Sequence, residues 1–206
     1  LNTPNNPTGA VYTPEETKRL VDFAVKHDLW ILDDMIYSTL VWTDVGYTSP
    51  CAFEGGSERT ITIGGWSKGW AMTGWRLGWI TGPTKVMDRV KTINVSSATH
   101  VPTFLMSAAA KALSLDEEVQ VMKDAFAERR LLMHQGLSSL PGFVVPEPEG
   151  AFYILADIAG TGLTDIEFAQ QALKNAQVQV IPGSLMEGGE GLIRISYATS
   201  IANIHE

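Results

Sequence analysis

The chain is 206 residues long, 45% hydrophobic and 18% charged, which is ordinary globular usage with enough apolar mass for one large or two modest cores, and excludes a disordered chain. A formal net charge of −8 with scattered Lys and Arg excludes a nucleic-acid footprint and a polybasic membrane contact. Cys51 stands alone, which excludes an internal disulfide and a cysteine-rich metal site and points to a reducing compartment, the cytoplasm being the expectation.

Residues 2–9, Asn-Thr-Pro-Asn-Asn-Pro-Thr-Gly, are a run of turn formers in which each Pro forces its predecessor out of the helical region, so the chain opens on a loop. Thr13-Pro14-Glu15-Glu16 has the pattern of a helix start, with a Thr cap, Pro at the first position and Glu at the third. That helix is expected to run to about His27 and to pack Leu20, Phe23, Ala24 and His27 on a sheet, His27 being a helix-end residue beside the dipole rather than a ligand. Trp30-Ile31-Leu32 predicts a buried strand whose carboxyl end carries Asp33, Asp34 and Tyr37, and that end is where ligands bind in an open parallel sheet. Successive strand residues point to opposite faces, so only one of the two aspartates faces a ligand there. Two adjacent acids are otherwise solvent-facing or a metal pair, and no histidine lies nearby to favour a metal.

Residues 38–57 predict a long irregular connection with no assigned role. Residues 59–63 form a β-rich strand, and Leu77-Gly78-Trp79-Ile80 a second, so residues 67–76 lie between two strands. That intervening stretch holds one lysine and one arginine among Ser, Gly, Trp, Ala, Met and Thr. A lysine among apolar and aromatic neighbours loses solvation and its free amine becomes a nucleophile for carbonyl carbon, which makes Lys68 a Schiff-base candidate. Arg76 is a permanently charged fork suited to a phosphate dianion, and an aldehyde-bearing phosphate ester engages both. On composition alone, two long stems snorkelling from a loop is the alternative.

From Pro83 the pattern is helical, with Val86, Val90 and Ile93 on one face, and Pro102 marks the next break. Residues 104–113 and 116–140 make two further helices, the second long enough to bridge two lobes. Glu128, Arg129 and Arg130 read as a solvated face, and Met106, Met122 and Met133 as core. After Pro141-Gly142 the texture changes to short strands at 143–145, 151–155, 178–181 and 192–197 with a helix at 164–175, an α+β lobe. The domain division is expected in the long helix, giving 1–120 and 121–206. Arg194 lies in the middle of an apolar strand, where an unpaired guanidinium is costly, so it meets an anion: a structural partner such as Asp157 or Glu190, or a ligand.

The segment Ser67-Lys68-x-x-Ala71-Met72-x-Gly74-x-Arg76-Leu77-Gly78 resembles the lysine segment of class I/II aminotransferases, pyridoxal-phosphate enzymes of fold type I. Asn6-Pro7-Thr8-Gly9, Asp34-x-x-Tyr37, Gly150-Ala151-Phe152-Tyr153 with Pro182-Gly183-Ser184, and Ile193-Arg194-Ile195-Ser196-Tyr197-Ala198 resemble further family segments in the same order. The resemblance covers residues 2–200. It departs from the family pattern at Trp66, where a smaller residue is usual, and at Gly65, where many members carry a phosphate-binding serine.

The resemblance implies an α/β chain: the C-terminal part of a mostly parallel large-domain sheet, followed by a small α+β domain, most like the aspartate-aminotransferase branch. It implies pyridoxal 5'-phosphate as cofactor. Lys68 then carries it as a Schiff base, Arg76 binds its phosphate, Asp34 pairs with the pyridine nitrogen, Tyr37 and Asn6 bond the ring oxygen, and Arg194 captures the substrate α-carboxylate. The implied reaction is ping-pong amino transfer between an L-amino acid and a 2-oxo acid in a homodimer, with no metal. A lyase of β-elimination type shares the same constellation, and a non-catalytic sensor domain that binds the cofactor is the reading from another class. The abrupt opening on Leu1-Asn2-Thr3-Pro4, and the stop just after the helix caps Thr199 and Ser200, read as the ends of a piece lacking the family's N-terminal part and C-terminal helix, and expected to be inactive alone.

Overall fold

A computed structural model describes residues Leu1–Glu206. The chain divides into two compact units, one of Leu1–Pro4 with Val11–Lys123 and the other of Asn5–Ala10 with Asp124–Glu206.

In the first unit, helix α1 covers Pro14–Lys26. Its start is fixed locally: the Thr13 hydroxyl accepts from the Glu16 N–H, and Glu16 reaches back to accept from the Thr13 N–H at 2.9 Å. The Thr13 N–H, then its hydroxyl, hold the Glu16 carboxyl below its ordinary pKa. The buried face differs from the expected one. It is Thr17, Val21 and Ala24 that are buried, while Leu20 and Phe23 are 41% and 55% exposed. The buried stripe is made of two β-branched residues and one small one, and the larger pair turns outward.

Strands β1 (Ile31–Asp34) and β2 (Thr60–Gly65) pair in parallel, Ile31 opposite Thr60 and Asp34 opposite Ile63. Strand β3 (Gly78–Thr81) returns antiparallel on the other side of β2, with Gly65 opposite Gly78. The expectation of a buried strand at Trp30-Ile31-Leu32 is corrected. Trp30 and Leu32 are 49% and 54% exposed, and the buried member of β1 is Asp33. Thr60 and Thr62, alternating on β2, are buried as well. Arg59 ties the strand entry to the end of α1, donating through Nη1 to the Leu29 carbonyl at 3.0 Å and through Nε to Gly55 at 3.2 Å. Helices α2 (Thr84–Ser97), α3 (Thr103–Ala112) and α4 (Asp116–Ser138) follow. The expected core face of α2 is not buried, Ile93 being 66% exposed, and Met106 of α3 is 47% exposed rather than core.

The division between the units falls within α4. In the second unit, β4 (Tyr153–Asp157) is followed by α5 (Asp165–Gln171), β5 (Ile181–Pro182), β6 (Leu192–Ser196) and α6 (Ile201–His205). The sheet is antiparallel in the order β4-β6-β5. Its core is Ile154, Ala156, Ile158, Ile193 and Tyr197, all at 0% exposure. The Tyr197 hydroxyl donates to the Ala151 carbonyl at 2.9 Å, so its polar end is satisfied inside that core. The expected strand at 143–145 reduces to one bridge, Val144 opposite Asp157, and that at 178–181 to the two residues of β5. The expected helix at 164–175 is α to Gln171 and then a π turn over Ala172–Ala176. Arg130 is not on a solvated face. Its side chain is 14% exposed and donates to Glu147 Oε1 and to the Pro148 carbonyl, each at 2.9 Å, pinning that loop to α4.

Ile193 reports on this core. Ile193→Val is expected to lower unfolding free energy by about 0.5–1.5 kcal/mol and Ile193→Ala by about 2–5 kcal/mol, read from urea denaturation.

Candidate active site

Parallel pairing places the ends of β1 and β2 at the same edge of the first unit's sheet, and the Met35 N–H extends the ladder one step by donating to the Ile63 carbonyl at 3.0 Å. The turn that leaves β1 carries Tyr37, and the turn that leaves β2 carries Lys68. Because β3 begins where β2 ends, Arg76 comes back to that edge two residues before the strand starts. Asp34, Tyr37, Lys68 and Arg76 therefore belong to one edge of one sheet, the carboxyl edge of its parallel pair.

The two aspartates are separated by strand alternation. Asp33 turns into the interior at 0% exposure, whereas Asp34 is half-buried on the opposite face. The Asp34 main chain is fixed on both sides: its N–H donates to the Leu1 carbonyl at 2.9 Å, and its own carbonyl accepts from the Asn2 side chain at 3.1 Å. Its Oδ1 accepts from the Ile36 N–H at 3.1 Å, which closes the turn toward Tyr37. Tyr37 is buried at 4% exposure.

The loop of residues 66–77 is held by its own backbone. The Trp66 N–H donates to Leu77 at 3.3 Å, the Met72 N–H to Trp66 at 3.2 Å and the Ala71 N–H to Lys68 at 3.2 Å. The Thr73 hydroxyl donates to the Ser67 carbonyl at 2.8 Å, and the Trp70 indole N–H reaches the Ala112 carbonyl of α3 at 2.9 Å. Two non-glycine residues in this loop are left-handed, Ala71 at φ 52° and Arg76 at φ 54°. Such backbone is costly for an L residue and persists where the surroundings over-determine it. Lys68 is half-buried in the turn. Arg76 is exposed and donates through Nη1 to the Thr73 carbonyl at 3.1 Å. Gly69 is where a side chain has no room, because a Cβ there would collide with the Thr39 hydroxyl.

The second unit carries the other two residues named from the sequence, and it brings them together. Arg194, in the middle of β6 opposite Leu155 and Ile181, donates through Nη1 to Asn6 Oδ1 at 2.9 Å and lies over the Tyr153 ring at 4.8 Å. Neither Asp157 nor Glu190 is its partner: a neutral amide and a ring face meet the guanidinium in place of a carboxylate. Asn6 and Arg194 are 188 residues apart, so nothing local announces their pairing. In the same unit, Asp165 accepts from the Ser184 N–H at 2.7 Å, anchoring the segment after Pro182 to the start of α5. That backbone bond, with the Ser184 side chain, holds the Asp165 carboxyl below its ordinary pKa.

Sequence reasoning missed Asp33 as a partner of Tyr47, whose hydroxyl donates to Asp33 Oδ2 at 2.5 Å. The available signal was an aspartate at an inward strand position, which requires a buried partner. It also missed Thr39, which packs on the lysine turn without any motif of its own. No group of three or more His, Cys, Asp or Glu could hold a metal ion, and no helix is long and apolar enough to cross a membrane.

Residues 1–206 match the family described as Aminotransferase class I and II. The chain is 43% identical over 210 residues to aromatic-amino-acid aminotransferase 2 of Thermococcus litoralis, covering 100% of this chain and 54% of that protein. It is 40% identical over 210 residues to an aspartate aminotransferase of Pyrococcus abyssi, with the same coverage of 100% and 54%. Its fold matches the crystal structure of an aromatic aminotransferase from Pyrococcus horikoshii with a TM-score of 0.95 at 40% identity, covering 98% of this chain and 55% of that one. The chain thus spans about half the length of the relatives it matches.

The lysine turn gives a test of its own. Gly69→Ala is expected to lower stability by about 1–3 kcal/mol through overpacking, and Thr39→Ala added to it to recover most of that loss. Chemical denaturation of the single and double variants checks this, and a single variant as stable as the wild type contradicts it.

Proposed function

The chain belongs to the class I and II aminotransferases, and on that premise we propose that it is the lysine-bearing part of a pyridoxal-phosphate enzyme moving an amino group between an L-amino acid and a 2-oxo acid. Members of the family depend on pyridoxal phosphate. The observation that carries the proposal is the chemistry of the donor set at one sheet edge. A primary amine, a guanidinium, a carboxylate and a phenol come from two turns of one three-stranded sheet. These four groups complement, in order, an aldehyde carbon, a phosphate dianion, a pyridine nitrogen and a ring hydroxyl. The residues present therefore fit the cofactor.

In this reading Lys68 holds the cofactor carbonyl and Arg76 its phosphate. Asp34 pairs with the ring nitrogen, and Tyr37 and Asn6 bond the ring oxygen. When bound, the cofactor supplies an electron sink for the substrate Cα. The rest is done by side chains. Arg194 receives the substrate α-carboxylate, for which a guanidinium fork is better suited than the amide it meets in this structure. Asn6, already bonded to that guanidinium, orients it. The Lys68 amine takes a proton at Cα as general base once substrate has entered, and Asp34 keeps a negative charge opposite a protonated ring nitrogen. The left-handed residues Ala71 and Arg76 hold the turn between amine and guanidinium in one shape. Lyase chemistry is not favoured, because the relatives that match over the whole chain are named as transaminating enzymes.

The proposal includes a homodimer and a cytoplasmic setting. Exposed apolar residues such as Ile93 and Phe104, at 66% and 73%, support a further covering surface on the first unit, and the lone exposed Cys51 is compatible with a reducing compartment.

Pyridoxal phosphate added to the intact protein is expected to give a visible absorption band and, after borohydride reduction, an adduct on Lys68. An adduct on Lys85 or Lys91 overturns the assignment. Asp34→Asn is expected to slow turnover by about two orders of magnitude or more, since it removes a charge-assisted bond that strengthens as charge develops. Turnover within a few-fold of wild type contradicts the role given to Asp34.

A further inference from the structure

Asp33 is wholly buried at 0% exposure, and the ion pairs of the chain involve other carboxylates. One of its oxygens, Oδ2, accepts from the Tyr47 hydroxyl at 2.5 Å. The other, Oδ1, is buried without a hydrogen-bond partner. An ionised carboxyl so placed would leave an uncompensated charge out of water, whereas a protonated one carries no charge. The proton in the Tyr47 bond does not serve this purpose. Burial pushes the Tyr47 hydroxyl well above its ordinary pKa, so Tyr47 keeps its proton and acts as donor.

The groups that act on Asp33 can be named from each side. Burial is the largest influence and raises its pKa, and the charge of Asp34 adds to it. The hydroxyls of Tyr47 and Thr62 act the other way, and the balance stays above the ordinary 3.8. From β2, Thr62 stands opposite Asp33 and Thr60 is buried two residues before it, and neither titrates.

We propose that Asp33 is held as a neutral carboxylic acid that clamps the end of β1 to Tyr47, and that in this form it is a positioning residue which leaves Asp34 as the single carboxylate charge at that strand end. Asp33 and Asp34 are successive residues, so a second charge at that strand end would repel the first. The clamp also fixes the long connection of residues 38–57, through Tyr47, behind the strand that carries Asp34. This inference rests on the role proposed for Asp34, but the experiment reads the proton on Asp33 and fails separately from any assignment of Lys68.

Infrared difference spectra of the intact, cofactor-loaded protein, wild type against Asp33→Asn and titrated across pH, are expected to show a protonated-carboxyl C=O band that the variant lacks and that persists above the pH at which an exposed aspartate has ionised. A difference confined to carboxylate bands overturns the proposal. Stability carries the same information. A folded-state pKa raised above 3.8 means the folded protein binds more protons than the unfolded one between 3.8 and the raised value. Wild type therefore loses stability relative to Asp33→Asn as pH rises through that window, and a relative gain overturns the proposal. The pH profile of kcat is expected to bend at the same midpoint in wild type and not in Asp33→Asn; an unbent wild-type profile refutes the positioning role. Should Asp33→Asn not fold, Tyr47→Phe serves: removing a hydroxyl that lowers the Asp33 pKa moves the midpoint for loss of the C=O band to higher pH. An unmoved or lowered midpoint overturns the clamp.

Discussion

The parallel register of β1 on β2 is the constraint on which the candidate site depends. Ile31 opposite Thr60 and Asp34 opposite Ile63 bring two strands to an end together, and the antiparallel return of β3 opposite Gly65 closes the loop between them. A shift of one residue in β1 would exchange the two faces, sending Asp34 inward and Asp33 outward. What guards the register is burial of polar groups. Asp33, Thr60 and Thr62 lie on the covered face, where one Asp33 oxygen accepts from the Tyr47 hydroxyl. The covered face of β1 and β2 is polar rather than apolar, and one specific bond, Tyr47 to Asp33, holds there.

The residues proposed to act are divided between the units. Asp34, Tyr37, Lys68 and Arg76 are ordered by the first unit's sheet edge, and Asn6 with Arg194 by the second unit's strand β6. Each set is organised internally. The lysine turn is closed by backbone bonds and by two left-handed residues; the arginine is held over Tyr153 by an amide that comes from the opening loop. The loop of residues 2–9, dense in Pro and Asn, thereby contributes to both units: Asn2 accompanies Asp34, and Asn6 accompanies Arg194.

Features written in a few neighbouring residues were legible in the sequence. The capping box at Thr13 and Glu16 sets the start of α1, the short range of side chain to backbone bonding being all it needs. The opposed directions of Asp33 and Asp34 follow from strand alternation, and the lysine turn from the β-rich runs on either side of it. Features that depend on what packs from elsewhere were not. Leu20 and Phe23 read as the core face of α1 by hydrophobicity, yet Thr17, Val21 and Ala24 are the buried ones, because which stripe is covered depends on what packs from elsewhere in the chain. The strand expected at 178–181 shrank to two residues, since only Ile181 and Pro182 find a partner on β6. Arg130 looked like surface and is a clamp, its partners Glu147 and Pro148 lying across a turn. The Asn6 to Arg194 bond, the Tyr47 to Asp33 bond and the fit of Gly69 against Thr39 are tertiary facts, carried by no local pattern.

The central claim is that one sheet edge in this chain is built to hold a phosphorylated pyridine aldehyde. A crystal structure of the intact protein grown with pyridoxal phosphate tests it most directly. The account predicts continuous density from Lys68 Nζ to the cofactor, with the phosphate at Arg76 and the ring nitrogen at the Asp34 carboxylate. Cofactor density joined to another lysine, or a ring nitrogen turned away from Asp34, would contradict it.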